Sequence, residues 1–478
     1  MVRIGTLLAA LGGLLALSAS GAPGSTGAQL VRLTSTPALF PAYAPSVHDY
    51  VVRCAGSSTV KVTTWAAAGT LATIDGVRRS TATLPLRPGQ AVTVAAANGA
   101  AGSDYVIRCL PADFPAFDVA GTSAPGWTIA TPSLASGSGT TSHYVVILDG
   151  DGVPVWWYRD AGTPLDARLL SGSQIAWAEL NAPSPAYQVR TLAGKLVRRL
   201  TSPDGQIDDH ELQETANGDD VYLVYQPKQH VDLTALGGPA DATVLEGQIE
   251  EQSPAGKVVW SWSTDGHIGV GESADWAGPI LKAPVKSAGE EAYDVYHANS
   301  VSLQGNLVVL SLRYEDAIYG IDKTTGAILW KLGGTPTPES LTVTGDPLGA
   351  QPFSGQHDAR IQPDGTLTVF DDETQTPHPP RTVHYAIDTT AHTATYLGGV
   401  SDPDISASAC CGSARLLAGG DWVVSWGGDP VIGTYAPDGT PLRRVTFPGL
   451  FSYRAVPVAS GRLTAARLRA AMDAMAPR

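Results

Sequence analysis

Two kinds of hairpin alternate along most of this 478-residue chain, and few folds accommodate that pattern. The first kind recurs as "ILDGDGVPVWWY" (147–158), "RTLAGKLVRRL" (190–200), "EQSPAGKVVWSW" (251–262), "GIDKTTGAILWKL" (320–332), "AIDTTAHTATYL" (386–397) and "TYAPDGTPLRRV" (434–445). Each reads as a strand, a tight polar turn and a second strand. The second kind reads "ARLLSGSQIAWAE", "ETANGDDVYLVYQ", "SLQGNLVVLSLR", "IQPDGTLTVFDD", "LLAGGDWVVSWGG" and "PVASGRLTAARL". Two hairpins make four strands. Six such alternations, averaging about 60 residues each, predict an all-β chain whose main body, 113–478, is a six-bladed β-propeller.

The repeat also places histidines equivalently. His210, His297 and His357 each stand eight residues before a glycine that opens a strand: Gly218, Gly305 and Gly365. Aligned on these glycines, the six blades carry Leu165, His210, His297, His357, Gly412 and Tyr453 at one position. Innermost strands line a propeller's channel, so three consecutive blades would present histidine at one mouth. Arg313 lies eight residues after Gly305, and the hairpin should return it to the face of His297.

Composition narrows the setting. A net charge of −14 disfavours nucleic acid and anionic membrane surfaces as partners. The start "MVRIGTLLAALGGLLALSASGAPGS" has an early arginine and a short apolar run followed by small residues. It reads as a signal peptide over 1–20, and the mature protein is expected to be secreted. No later segment is apolar enough to span a membrane. In an oxidising compartment cysteines pair. Cys54 and Cys109 close the matching strings "DYVVRC" and "DYVIRC" and are expected to bridge, while Cys410 and Cys411 are adjacent and open to a vicinal disulfide. Residues 30–112, with short Val/Thr alternations between Gly, Pro and Ser, read as a small β-sandwich whose opening resembles cadherin-like modules of secreted bacterial proteins.

On residue chemistry alone, the histidine cluster is open to several readings. Three imidazoles could ligate zinc, although no close ligand pair such as HExxH occurs and Arg313 would face the cation. A neutral imidazole is also a good nucleophile near pH 7, and an arginine could hold the oxygens of a transferring sulfuryl or phosphoryl group. A third reading is a cationic funnel that binds an anionic ligand without chemistry. No nucleotide phosphate loop is present.

Several strings in order, "LDGDGVPVWWYR", "DHEL", "HANSVS" with "LSLR", "AIYGIDKTTGAILWKLGG", "GQHDARIQPDGTLTVFDD" and "SYRA", together resemble the bacterial arylsulfotransferase family. The resemblance covers roughly 140–456 and implies a six-bladed propeller that moves a sulfuryl group from a phenolic sulfate ester to a phenol through a sulfohistidine. It implies no cofactor and no metal, with a small aryl sulfate and a phenolic acceptor as the only partners. By this resemblance His357 is the nucleophile, His297 and His210 are proton-handling neighbours, and Arg313 holds the sulfuryl oxygens. Asn299 is a candidate for positioning substrate, Tyr453 and Trp426 for selecting the phenol, and one of Asp358, Asp371 and Asp372 for orienting an imidazole. Arg360 and the amphipathic tail "RLTAARLRAAMDAMAPR" read as structural. "IDKTTGAILW" also resembles the tryptophan-docking turn of quinoprotein propellers, but those repeat it around eight blades and only Trp330 fits fully here.

Overall fold

The computed structural model describes residues 30–55, 58–135, 142–180, 185–273, 275–287 and 289–478. The expected signal peptide lies outside them. Among the described residues no helix is long and apolar enough to cross a membrane. The chain is a six-bladed β-propeller preceded by a small β-sandwich. Three strands of the sandwich form one sheet and five the other, and Cys54 and Cys109 are bonded where strands Asp49–Arg53 and Ala101–Leu110 run in parallel.

Five blades are contiguous in sequence. Their innermost strands are Pro164–Leu169, Gln206–Glu214, Ala298–Gln304, His357–Ile361 and Ser413–Leu416, each followed outward by three antiparallel strands. Blade faces stack on one another, so central strands such as Tyr144–Leu148 are buried along their whole length and read as continuous apolar runs. The hairpin glycines Gly218, Gly305 and Gly365 have φ of 84°, 58° and 84°, the left-handed turn geometry that glycine meets without a steric penalty.

The remaining blade corrects one sequence expectation. "PVASGRLTAARL" is not a hairpin. Its first residues end the strand Leu450–Val458, which pairs with Trp127–Ala135 and becomes the innermost strand of a blade completed by Tyr144–Leu148 and Pro154–Arg159. The rest turns into the helix Ala465–Met475. A second stitch adds Asp118–Gly121 to the outer edge of the last blade, along Pro441–Thr446. Strands from the two ends of the propeller therefore pair at two places. The terminal helix is clasped by the sandwich: Arg469 pairs with Asp49 at 2.7 Å, Arg108 with Asp473 at 2.9 Å, and Gln90 donates to the Pro477 carbonyl.

The channel beneath the mouth is filled with charge. Arg168, Arg360, Arg415 and Arg454 interlock with Asp166, Glu211 and Asp358, all of them on innermost strands. Arg360 thus sits in the channel network, paired with Glu211 and with Asp358 at 2.7 Å. Glu211 meets three guanidinium groups. Burial alone would raise its pKa, but Arg168, Arg360 and Arg454 outweigh burial and hold it well below the usual carboxylate range. Its contribution to stability is complete above the unfolded glutamate pKa and is lost as pH falls toward the depressed folded value. Glu211→Ala leaves buried arginines without their counter-charge, so we expect a loss of about 3–5 kcal/mol, read as an earlier urea-unfolding midpoint.

Candidate active site

The position aligned on the glycines recurs at one end of the channel, as the repeat requires. His210, His297, Tyr453, Leu165, Cys411 and Tyr225 line a cleft of about 500 Å³ at that mouth. The His210 and His297 rings meet edge to face at 5.0 Å, and Tyr453 lies against both His210 (5.5 Å) and His357 (6.3 Å). Innermost strands start irregularly here: His297 and Asp358 have φ of 48° and 55°. Holding non-glycine residues in that region costs about 1–2 kcal/mol each and re-aims side chains at the strand head.

Each histidine is tied at Nδ1 to a carboxylate. His357 pairs with Asp372 Oδ2 at 2.6 Å, His297 with Asp294 Oδ2 at 2.6 Å, and His210 with Asp208 Oδ1. This separates the roles of their Nε2 atoms. Burial works against charge on His210, yet the carboxylates of Asp208, Asp209 and Asp294 outweigh it and push its pKa up to about 9. His210 is therefore a cation near neutrality. His357 is 1% exposed, and burial holds its pKa well below the ordinary value, with Arg313, His297, His210 and Arg454 acting in the same direction. Burial raises Asp372. The two titrate as a pair, and the form with one proton between Oδ2 and Nδ1 leaves the lone pair of Nε2 free. Among the described residues that Nε2 has no hydrogen-bond partner. Of the three aspartates considered, Asp372 orients the imidazole. Asp371 instead pairs with Arg381, and Asp358 joins the channel network.

Arg313 returns beside His297 as its spacing requires: its backbone N–H donates to the His297 carbonyl at 3.1 Å. The channel arginines are all paired, whereas Arg313 makes no ion pair among the described residues. Its Nη2 reaches the Ala409 carbonyl at 3.3 Å, its buried Nε has no partner among the described residues, and the guanidinium lies 5.3 Å from the Tyr314 ring. A rigidly planar fork of donors without a counter-charge beside a neutral imidazole suits a tetrahedral oxyanion.

Asn299 lies one layer below the cleft. It is fully buried, donates from Nδ2 to the Gln356 carbonyl at 2.8 Å, and offers its own carbonyl to Arg454 at 2.7 Å. This fixes the residue before His357 and makes Asn299 a support for the strand head that carries His357. Trp426 is buried against Phe370 and donates to Tyr435; it is packing, and does not line the cleft. Cys410 and Cys411 are bonded to each other, and Cys411 packs with Leu165, Phe451 and Tyr453. The three-histidine zinc reading loses its geometry, because among the described residues the one group of three whose ligand atoms all lie within 4.8 Å of one another is Asp208, Asp209 and His210, with a single histidine.

The family model for arylsulfotransferase (ASST) matches residues 187–447, more than half of the chain and every residue of the His210–His297–Arg313–His357 cluster. The chain belongs to the arylsulfotransferase family. Membership supports aryl sulfotransfer as the general class of activity. Comparison with curated proteins finds no match. Among solved structures, a protein of unknown function from Bacteroides caccae is 12% identical with a TM-score of 0.42, covering 70% of this chain and 100% of its own. A catalytically inactive variant of virginiamycin B lyase from Staphylococcus aureus, with quinupristin, is 13% identical with a TM-score of 0.37, covering 69% and 99%. Apo AztD from Citrobacter koseri is 12% identical with a TM-score of 0.35, covering 71% and 99%.

Proposed function

We propose that this arylsulfotransferase works by a ping-pong route without a nucleotide donor, through a sulfuryl group carried on His357 Nε2. The observation that supports it most is an imidazole with Nδ1 committed to Asp372, beside the unpaired Arg313. In the first half, Nε2 attacks the sulfur of an aryl sulfate. The S–O(aryl) bond breaks, its electron pair goes to the phenolic oxygen, and cationic His210 supplies the proton. Arg313 holds the sulfuryl oxygens as charge shifts among them. The sulfated ring is positive, and the Asp372 carboxylate at Nδ1 offsets that charge. In the second half an acceptor phenol attacks sulfur, neutral His210 takes back the proton, and the S–N pair returns to His357. His297, held by Asp294, lies between His210 and Arg313 and orders the acceptor. Two disulfides support a secreted location, where thiols oxidise.

The test is release of a coloured phenol from an aryl sulfate, with and without an acceptor phenol. Release that depends on acceptor, with transient label on the protein from a ³⁵S donor, supports the route; a folded protein that releases nothing and takes no label excludes it. The pH dependence follows from the charges. Activity should rise as the His357–Asp372 pair loses its second proton and fall again around pH 9, where His210 loses its charge. His210→Gln should remove the alkaline limb and slow donors with poor leaving groups most.

A further inference from the structure

The Asp372–His357 pair has a third member that neither the repeat nor the reaction calls for. Ser408 stands in the segment leading to the last blade's innermost strand, outside the hairpin alternation. It is buried, and its hydroxyl donates to Asp372 Oδ1 at 2.6 Å, the oxygen that His357 leaves free. The same Oγ accepts the Gly428 N–H at 3.3 Å. Gly428 N–H therefore donates to Ser408, and the Ser408 hydroxyl and the Nδ1–H of His357 both donate to Asp372, one to each carboxylate oxygen.

The segment around Ser408 is built to hold that hydroxyl still. Cys410 and Cys411 are bonded to each other two residues on, Gly412 N–H donates to the Tyr453 carbonyl at 3.0 Å, and the Ala409 carbonyl receives Arg313. Gly427, with φ of 61°, lies so close that a Cβ there would collide with both Ser408 Oγ and the Cys410 carbonyl. One short segment thus touches the carboxylate, the oxyanion-holding arginine and the aromatic wall of the cleft.

We propose that Ser408 is a positioning residue for the nucleophile, whose hydroxyl keeps Asp372 aimed at His357 Nδ1 as a hydrogen-bond acceptor. The inference rests on His357 being the sulfuryl carrier. Other charges facing the pair are Arg313 on Asp372, and Arg313, His297, His210 and Arg454 on His357. The neighbours Asp371 and Glu373 turn away, to Arg381 and Thr376. A hydrogen bond to a carboxylate favours its ionised form, so Ser408 makes the singly protonated, nucleophilic pair available at lower pH. Removing it should move the acid limb of the rate upward while leaving the plateau rate nearly intact.

The experiment compares wild type, Ser408→Ala and Ser408→Thr as full-length protein in two measurements. Single-turnover transfer of ³⁵S from 4-nitrophenyl sulfate to protein is followed against pH. The His357 ring is titrated by nitrogen-15 NMR, its signal assigned by loss in His357→Asn. Ser408→Ala should shift both midpoints up by about one pH unit, a roughly tenfold lower rate on the acid limb, with Ser408→Thr restoring them. Unchanged midpoints in Ser408→Ala overturn the proposal, whatever its thermal stability. A wild type that takes no label overturns the role of His357 instead, while the NMR titration still reads the hold of Ser408 on the pair.

Discussion

His357→Ala should abolish turnover, with kcat/KM for phenol release falling roughly 10⁴-fold or more, because on the proposed route the substitution removes the sulfuryl carrier and with it both steps. Proximity and Arg313 would remain, so a small background of direct transfer or hydrolysis is expected. The ³⁵S that wild type retains after acid-free denaturation should vanish altogether. The ring is buried and its removal strands Asp372, so a parallel loss of about 1–3 kcal/mol in stability is expected from the unpaired buried acceptor. Circular dichroism and an unfolding curve separate that loss from the chemical one. His357→Ala that still takes label would refute His357 as carrier.

Arg313→Ala should lower kcat by about 10²–10³-fold, the cost of removing one pre-organised donor to a developing oxyanion. The effect should fall on kcat more than on KM, because the guanidinium matters most when charge moves onto the sulfuryl oxygens. Arg313→Lys restores the charge but not the fork and should recover only part of the rate. Stability should change little or rise. Arg313 has no ion pair among the described residues to lose, and its partially unsatisfied guanidinium is a burden on the fold. A variant equally damaged in folding and in rate would argue that Arg313 is structural.

Much of this was legible in the sequence because a propeller is nearly periodic. Residues at one offset from the turn glycine share one height in the channel, so His210 and His297 meet in the cleft, buried His357 joins them across Tyr453, and Arg313 returns beside His297. What lay outside the period was not legible. Ser408 stands on a connecting segment, and no spacing relates it to Asp372. Asp371 and Asp372 stand side by side where a strand ends, and only the local chain path decides which one faces His357. The channel charges were hidden differently. Nothing in the spacing of Asp166, Arg168, Glu211 and Arg454 announces burial, since burying any one alone is prohibitive, and they become tolerable only when the ring of blades brings them together. Trp426 misled because a large aromatic near the mouth fits a wall as well as it fits the packing where it actually sits. The false sixth hairpin had the right turn residues, but its strand found a partner from the far end of the chain.

That pairing sets a timetable for synthesis. The edge of Trp127–Ala135 emerges from the ribosome early, yet Leu450–Val458, which covers it, comes near the end. At ordinary elongation rates the gap lasts roughly a quarter of a minute to one minute, and throughout it the edge of that strand turned away from Tyr144–Leu148 has no neighbour for its backbone donors and acceptors. The channel arginine of the late strand, Arg454, arrives in the same interval, so Asp166, Glu211 and Asp358 wait without one of their counter-charges. A nascent chain stalled before residue 450 would thus be both sticky along one edge and short of positive charge at its heart. Holding chaperones should engage the unfinished ring then, and release it when the last strand docks.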